Sequence, residues 1–196
     1  MNLPNKITLF RIFLIPVFII VLILPFEWET IEVLSSSIEL DLLLAAIVFS
    51  VASFTDWLDG YLARKLNVVS NFGKFADPLA DKMLVMTALV FLIELSLAPA
   101  WIVAIIVSRE LAVTGLRLLL VEQGGQVMAA GWPGKIKTNT QMLAIIFLFL
   151  DNFPVAFTGI PIGIILLYIC LFFTIYSGIL YFYEARFVFK GTFKKK

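Results

Sequence analysis

Apolar residues run along this chain in six long blocks, at about 7–24, 42–63, 77–97, 99–120, 134–153 and 160–183. Each approaches the roughly 20 residues that a helix needs to cross the hydrocarbon of a bilayer. The pattern predicts one all-α membrane domain over 1–196 with six transmembrane helices. Pro99 and Pro161 stand at predicted helix starts, where a missing N–H costs nothing. Pro25 and Pro154 stand just past predicted helix ends. Residues 2–5 read as a short lead-in at the membrane interface. Arg11 interrupts the first block, and Pro25-Phe26-Glu27-Trp28 offers no small-residue cleavage site. The first block is therefore expected to be a retained helix rather than a signal peptide. No internal repeat, long linker or low-complexity tract appears.

The charged residues orient this pattern. With the N-terminus inside and six alternating spans, the outer connections are 25–41, a turn around Leu97-Ala98-Pro99, and 151–159. They carry Glu27, Glu29, Glu32, Glu39, Asp41 and Asp151, and no Lys or Arg. All 15 basic residues fall in inner connections, tails, or the inner parts of spans. Cytoplasmic loops collect Lys and Arg, so the expected topology is N-in, C-in. The tail Lys194-Lys195-Lys196 then reads as a topology anchor.

Composition narrows the chemistry. The chain is 61% hydrophobic and 15% charged, against about 45–50% and about 25% in ordinary soluble domains. It has no histidine, which excludes a His base, a Ser-His-Asp triad and His-ligated zinc or haem. Its single cysteine, Cys170, lies in an apolar run and can form no intrachain disulfide or Cys-rich metal site. Catalysis would have to use carboxylates, Lys, Arg, hydroxyls and a hard cation. No nucleic-acid partner is expected. The aromatic residues read as packing or lipid-facing groups, with Trp28, Trp101, Trp132, Tyr181 and Tyr183 in interface belts.

Four acids break the apolar pattern: Asp56 and Asp59 at the inner end of the second block, and Asp77 and Asp81 at the inner start of the third. The spacings i, i+3 and i, i+4 put each pair on one helix face. Ionisable groups at membrane depth are costly and usually functional. Four carboxylates brought together would suit Mg²⁺ or Mn²⁺, which take oxygen ligands, and two ions could be held. Gly60 and Gly73 allow close backbone approach, and the Arg64 guanidinium suits diphosphate oxygens. On charge alone, helix caps or a proton or ion pathway are the alternatives.

The run Asp56-Trp-Leu-Asp59-Gly60-Tyr-Leu-Ala63-Arg64, then Gly73, Asp77 and Asp81, follows the pattern DxxDGxxARx8GxxxDxxxD without departure. It resembles the CDP-alcohol phosphotransferases. The resemblance implies a six-helix membrane enzyme, usually a homodimer, with its active site open to the cytoplasm. It implies two divalent metals, Mg²⁺ or Mn²⁺, on Asp56, Asp59, Asp77 and Asp81, with Asp81 also the general base. Gly60, Arg64 and Gly73 would line the CDP site.

Three further stretches are similar to the phosphatidylglycerophosphate-forming branch of that family in bacteria: residues 2–11 with Thr8 and Arg11, Ser108-Arg109-Glu110 with Gly115-Leu-Arg117, and Gly134-Lys135-Ile-Lys137-Thr138 through Gln141. No functional signature is recognised after Gln141. A lone cation inside a span must pair or face a polar cavity. Glu110 lies about 100° round the helix from Arg109, so a local ion pair is the plainer alternative. For Arg117 and Lys137, a positive-inside role stands beside substrate contact.

The resemblance implies transfer of a phosphatidyl group from CDP-diacylglycerol to sn-glycerol 3-phosphate in the bacterial cytoplasmic membrane. Arg109 and Lys135 would hold the acceptor phosphate, assisted by Arg117, Lys137 and Thr8. Inositol phosphate or phosphatidylglycerol are the other acceptors considered. A cation transporter built on the same four acids is the reading from another class. Against it stand the spacing of Gly60, Ala63, Arg64 and Gly73, and the confinement of the acids to one side.

Overall fold

The computed structural model describes residues 3–24, 30–33, 36–66, 71–122 and 131–186. Of these, 3–6, 31–33, 36–37, 56–57, 59–66, 71–78, 81 and 121–122 are described in backbone alone. Six α-helices form where six apolar blocks lie: α1 (Leu3–Ile23), α2 (Leu40–Leu66), α3 (Asn71–Glu94), α4 (Ala100–Glu122), α5 (Trp132–Phe149) and α6 (Ile162–Glu184). The expected lead-in at residues 2–5 is largely helix, because α1 starts at Leu3 and a proline at position 4 is tolerated in a first turn. The helices α2 and α3 run past the expected limits at 63 and 77, so that 67–70 alone link them. The all-α expectation needs one amendment. The connection between α1 and α2 contains an antiparallel hairpin, β1 (Thr30–Val33) with β2 (Ser36–Glu39), in register Thr30 to Glu39.

One end of the bundle is closed by short, well-capped connections. Ser96, at φ 58°, ends α3 in the left-handed region. The Leu97 amide donates to the Leu92 carbonyl at 2.8 Å and the Ser96 amide to the Ile93 carbonyl at 2.9 Å, a Schellman closure. After α5, Asp151 and Asn152 both take positive φ. The Asn152 side chain accepts the Gly163 N–H at 2.8 Å, capping the start of α6. Gly163 is needed there, since a Cβ would stand 2.9 Å from Leu148 Cδ2.

The core at this end is aromatic. Phe18 of α1, fully buried, meets Phe49 of α2, Phe91 of α3 and Phe149 of α5 at centroid distances of 6.4, 6.1 and 5.7 Å. Tilted and edge-on rings of this kind add about 0.5–1.5 kcal/mol per pair beyond area burial. Cys170 is buried in the same core, 3.8 Å from Thr174 Oγ1, as its apolar setting predicts. Among the described helices, α6 is the one long and apolar enough to cross a membrane by composition, with hydropathy 2.3. Away from this aromatic core, the middle of α3, the middle and later part of α4, the first turns of α5 and the later part of α6 come together around one cavity.

Candidate active site

A cavity of about 240 Å³ opens among these four helices. Its cations among the described residues are Lys82 of α3, Arg109 and Arg117 of α4, and Lys137 of α5. Its volume lies below the roughly 300–1,000 Å³ of sites for drug-sized ligands, a scale suited to a small polar molecule.

Glu110 organises two of the cations. Its Oε1 accepts Arg109 Nη1 at 3.0 Å and also accepts Lys137 Nζ. The local ion pair considered for Arg109 therefore forms, while the same guanidinium lines the cavity. Arg109 Nη2 donates to Ser177 Oγ of α6 at 2.9 Å. The Ser177 hydroxyl in turn donates to the Phe173 carbonyl at 2.6 Å. The aliphatic stem of Arg109 lies against Gly178, where a Cβ would come within 3.2 Å of Cγ. Side chain, hydroxyl and helix backbone thus fix one guanidinium from three sides.

Lys82 joins α3 to this group. Its Nζ donates to Thr114 Oγ1, and the Thr114 hydroxyl donates to the Glu110 carbonyl at 2.7 Å. Arg117 lies over the Tyr181 ring, 5.4 Å from its centroid. Its Nε and the Tyr181 hydroxyl are both buried with no hydrogen-bond partner among the described residues. Burying a polar group without a partner costs about 1–3 kcal/mol, so Arg117 Nε is poised for a ligand and the Tyr181 hydroxyl for a solvent partner.

The sequence-predicted residues fall into three sets. Arg109, Arg117 and Lys137 line the cavity, and Lys137 is 5% exposed, far more buried than a topology anchor requires. Lys135 is exposed in the first turn of α5 and does not line it. Thr8 is fully buried on α1 together with Arg11, and is likewise not among the lining residues. Asp56, Asp59, Gly60 and Arg64 sit in the last part of α2, and Gly73, Asp77 and Asp81 in the first part of α3. Their side chains lie outside the described residues. Trp28 and the Lys194–Lys196 tail also lie outside them. The donor set of Asp56, Asp59, Asp77 and Asp81, four carboxylates spaced i, i+3 and i, i+4 on two helices joined by four residues, fits a hard divalent cation.

Sequence reasoning missed Thr114, Ser177, Tyr181 and Glu184, all of which line the cavity. Tyr181 is a correction: it is buried under Arg117 rather than standing in an interface belt, whereas Trp101, Trp132 and Tyr183 are exposed. The available signal was the spacing of Thr174, Ser177, Tyr181 and Glu184, one polar stripe along the otherwise apolar α6. Beyond Arg109, on the other side, an apolar groove runs between α4 and α6 past Ile105, Ala112, Ile175 and Ile179.

Comparison with known proteins adds three findings. The sequence model of the CDP-alcohol phosphatidyltransferase family matches residues 1–176. A Bacillus subtilis protein named CDP-diacylglycerol–glycerol-3-phosphate 3-phosphatidyltransferase is 54% identical over 181 residues, 92% of this chain and 93% of its own length. Proteins of the same name from Sodalis glossinidius and Escherichia coli K12 are 37% and 36% identical over 190 residues, covering 95% and 94% of this chain and 96% and 95% of theirs.

Proposed function

This chain belongs to the CDP-alcohol phosphatidyltransferase family, and we propose that it transfers the phosphatidyl group of CDP-diacylglycerol to sn-glycerol 3-phosphate, releasing phosphatidylglycerophosphate and CMP. The observation that carries this reading is the convergence of Lys82, Arg109, Arg117 and Lys137 on one small cavity. A phosphorylated alcohol needs such a pocket, and a neutral alcohol does not. The names of the relatives agree on the acceptor.

Asp81 accepts the proton of the attacking hydroxyl. That oxygen bonds to the phosphorus bearing diacylglycerol, the bond from this phosphorus to the bridging oxygen breaks, and CMP leaves with the bridging oxygen. Asp56, Asp59, Asp77 and Asp81 would hold two divalent cations, Mg²⁺ or Mn²⁺, which when bound neutralise charge on the diphosphate. Gly60, Arg64 and Gly73 line the CDP site. Arg109, Arg117 and Lys137 hold the acceptor phosphate, with Lys135 and Thr8 supporting from outside the cavity lining. Lys82 directly follows Asp81 in α3 and reaches Thr114, which supports a position for the acceptor beside the helix that carries the base. Holding the hydroxyl within attack distance supplies much of the rate.

The protein acts as a homodimer in the bacterial cytoplasmic membrane, with six spans, N-in and C-in, and its site toward the cytoplasm. Support comes from the large apolar side chains on the bundle surface, Phe13 at 67%, Leu118 at 67% and Phe172 at 64% exposed. Soluble monomers rarely expose apolar patches of more than a few hundred Å².

The test is CMP release by detergent-purified protein with CDP-diacylglycerol and Mg²⁺, in parallel with glycerol 3-phosphate, inositol phosphate, serine and no acceptor. Release with glycerol 3-phosphate alone, lost in Asp81→Asn, is the expected result. Release with another acceptor overturns the acceptor assignment. No release with any acceptor, from folded protein with metal, overturns the reaction.

A further inference from the structure

A carboxylate in an anion-binding cavity requires an explanation. Glu110 lines the cavity beside Arg109 and Lys137 and would repel a phosphate dianion. If its purpose were neutralisation alone, both oxygens could be used for that. Instead Oε1 takes both cations, and Oε2 has no donor among the described residues. The double pairing anchors Oε1, and Oε2, on the same carbon, stays beside the two cations before any ligand arrives.

We infer that Glu110 is a specificity-determining residue whose Oε2 accepts the hydroxyl of the acceptor that does not react, the C2 hydroxyl of sn-glycerol 3-phosphate. This rests on the reaction proposed above. A phosphorylated polyol presents two kinds of polar group. Its phosphate oxygens only accept and pair with Lys and Arg, whereas a hydroxyl can donate and pairs with a carboxylate. Among the described residues the cavity offers two carboxylates, and Glu184 is exposed at its margin while Glu110 is held inside by two cations.

The spacing agrees with the chemistry. Arg109 and Lys137 both touch Oε1, so a phosphate held by them would lie next to the Glu110 carboxylate. In glycerol 3-phosphate the C2 hydroxyl is on the carbon next to the one bearing phosphate, and the C1 hydroxyl lies one carbon further on. With phosphate on Lys137 and Arg109 and the C2 hydroxyl on Oε2, the C1 hydroxyl is left free to react. A ligand lacking the C2 donor leaves a carboxylate oxygen facing it unpaired, the arrangement by which sites reject analogues missing one hydroxyl.

The experiment compares kcat/KM for sn-glycerol 3-phosphate and 3-hydroxypropyl phosphate, which has the same chain without the C2 hydroxyl. It uses full-length purified protein with CDP-diacylglycerol and Mg²⁺, as wild type, Glu110→Gln and Glu110→Ala. The wild type is expected to prefer glycerol 3-phosphate by roughly 10- to 100-fold, the range for a hydrogen bond to a charged group. In Glu110→Ala both values fall, because Arg109 and Lys137 lose their partner, and the preference shrinks to about 3-fold or less. Glu110→Gln, whose amide can donate, gains relative activity on dihydroxyacetone phosphate, which has a carbonyl at C2. A merely structural Glu110 would lower all rates together and leave the ratios unchanged, and that result overturns the inference. So does a wild type that uses both phosphates equally well, whatever the variants do. Absence of turnover with glycerol 3-phosphate in the wild type would instead overturn the proposed reaction.

Discussion

The guanidinium of Arg117 rests on the face of Tyr181, 5.4 Å from the ring centroid, and no hydrogen bond among the described residues holds its Nε. The ring is therefore a principal positioning contact for this cation. Cation–π contacts are worth about 0.5–2 kcal/mol. Tyr181→Leu is expected to raise KM for the acceptor about 2- to 30-fold, with KM for CDP-diacylglycerol unchanged. Tyr181→Phe keeps the face and is expected to stay near wild type. Equal defects in the two variants would mean that the ring does not position Arg117.

Lys137 and Lys135 separate cleanly by environment. Lys137 is buried on Glu110 and lines the cavity, whereas Lys135 is exposed. Truncating one partner of a buried charge pair costs about 2–5 kcal/mol or more. Lys137→Ala is expected to lower acceptor kcat/KM by about 30-fold or more, and Lys135→Ala by only a few-fold. Steady-state kinetics on the two variants checks this, and the reverse order would return the phosphate to Lys135.

Ser177 offers a conservative rescue. Its hydroxyl accepts Arg109 Nη2 at 2.9 Å, a bond to a charged group worth about 1.5–3 kcal/mol. Ser177→Ala is expected to lower acceptor kcat/KM at least about 10-fold, and Ser177→Thr to recover most of it. Matching losses in both variants would point to packing against α4 rather than to the hydrogen bond.

Phe18 tests the far end of the bundle. It is fully buried among Phe49, Phe91 and Phe149. Phe18→Ala is expected to destabilise by about 3–5 kcal/mol, seen as a lower midpoint of thermal unfolding in detergent. The KM values of the surviving folded protein should not move, because the ring is remote from the cavity.

The helices were legible because apolar length and proline placement act locally: Pro161 is the cap residue of α6, and Pro99 directly precedes α4. The hairpin at 30–39 was not, since Thr, Glu and Ser in short alternation do not differ from a loop until paired. Arg109 stood out as a cation within an apolar block, and its pairing with Glu110 followed from adjacency. Choosing between Lys135 and Lys137 was beyond the sequence. Two residues apart on a helix point about 200° apart, and which face is inside depends on α4 and α6. The α6 hydroxyls were silent for a related reason. Ser177 satisfies itself on the Phe173 carbonyl, so in the sequence it passes for a neutral helix residue.

The cavity draws its lining from α4, α5, α6 and the residues just before α5, with Lys82 the one contribution of α3 among the described residues. The aspartate motif lies wholly on α2 and α3. Under the proposed reaction, donor chemistry and acceptor choice would be written on successive stretches of chain, which among the described residues meet at Lys82. A chimera joined in the turn at 95–99 would exchange one inventory and keep the other. Descent with modification could do the same, holding the reaction constant while the last three helices explore new alcohols.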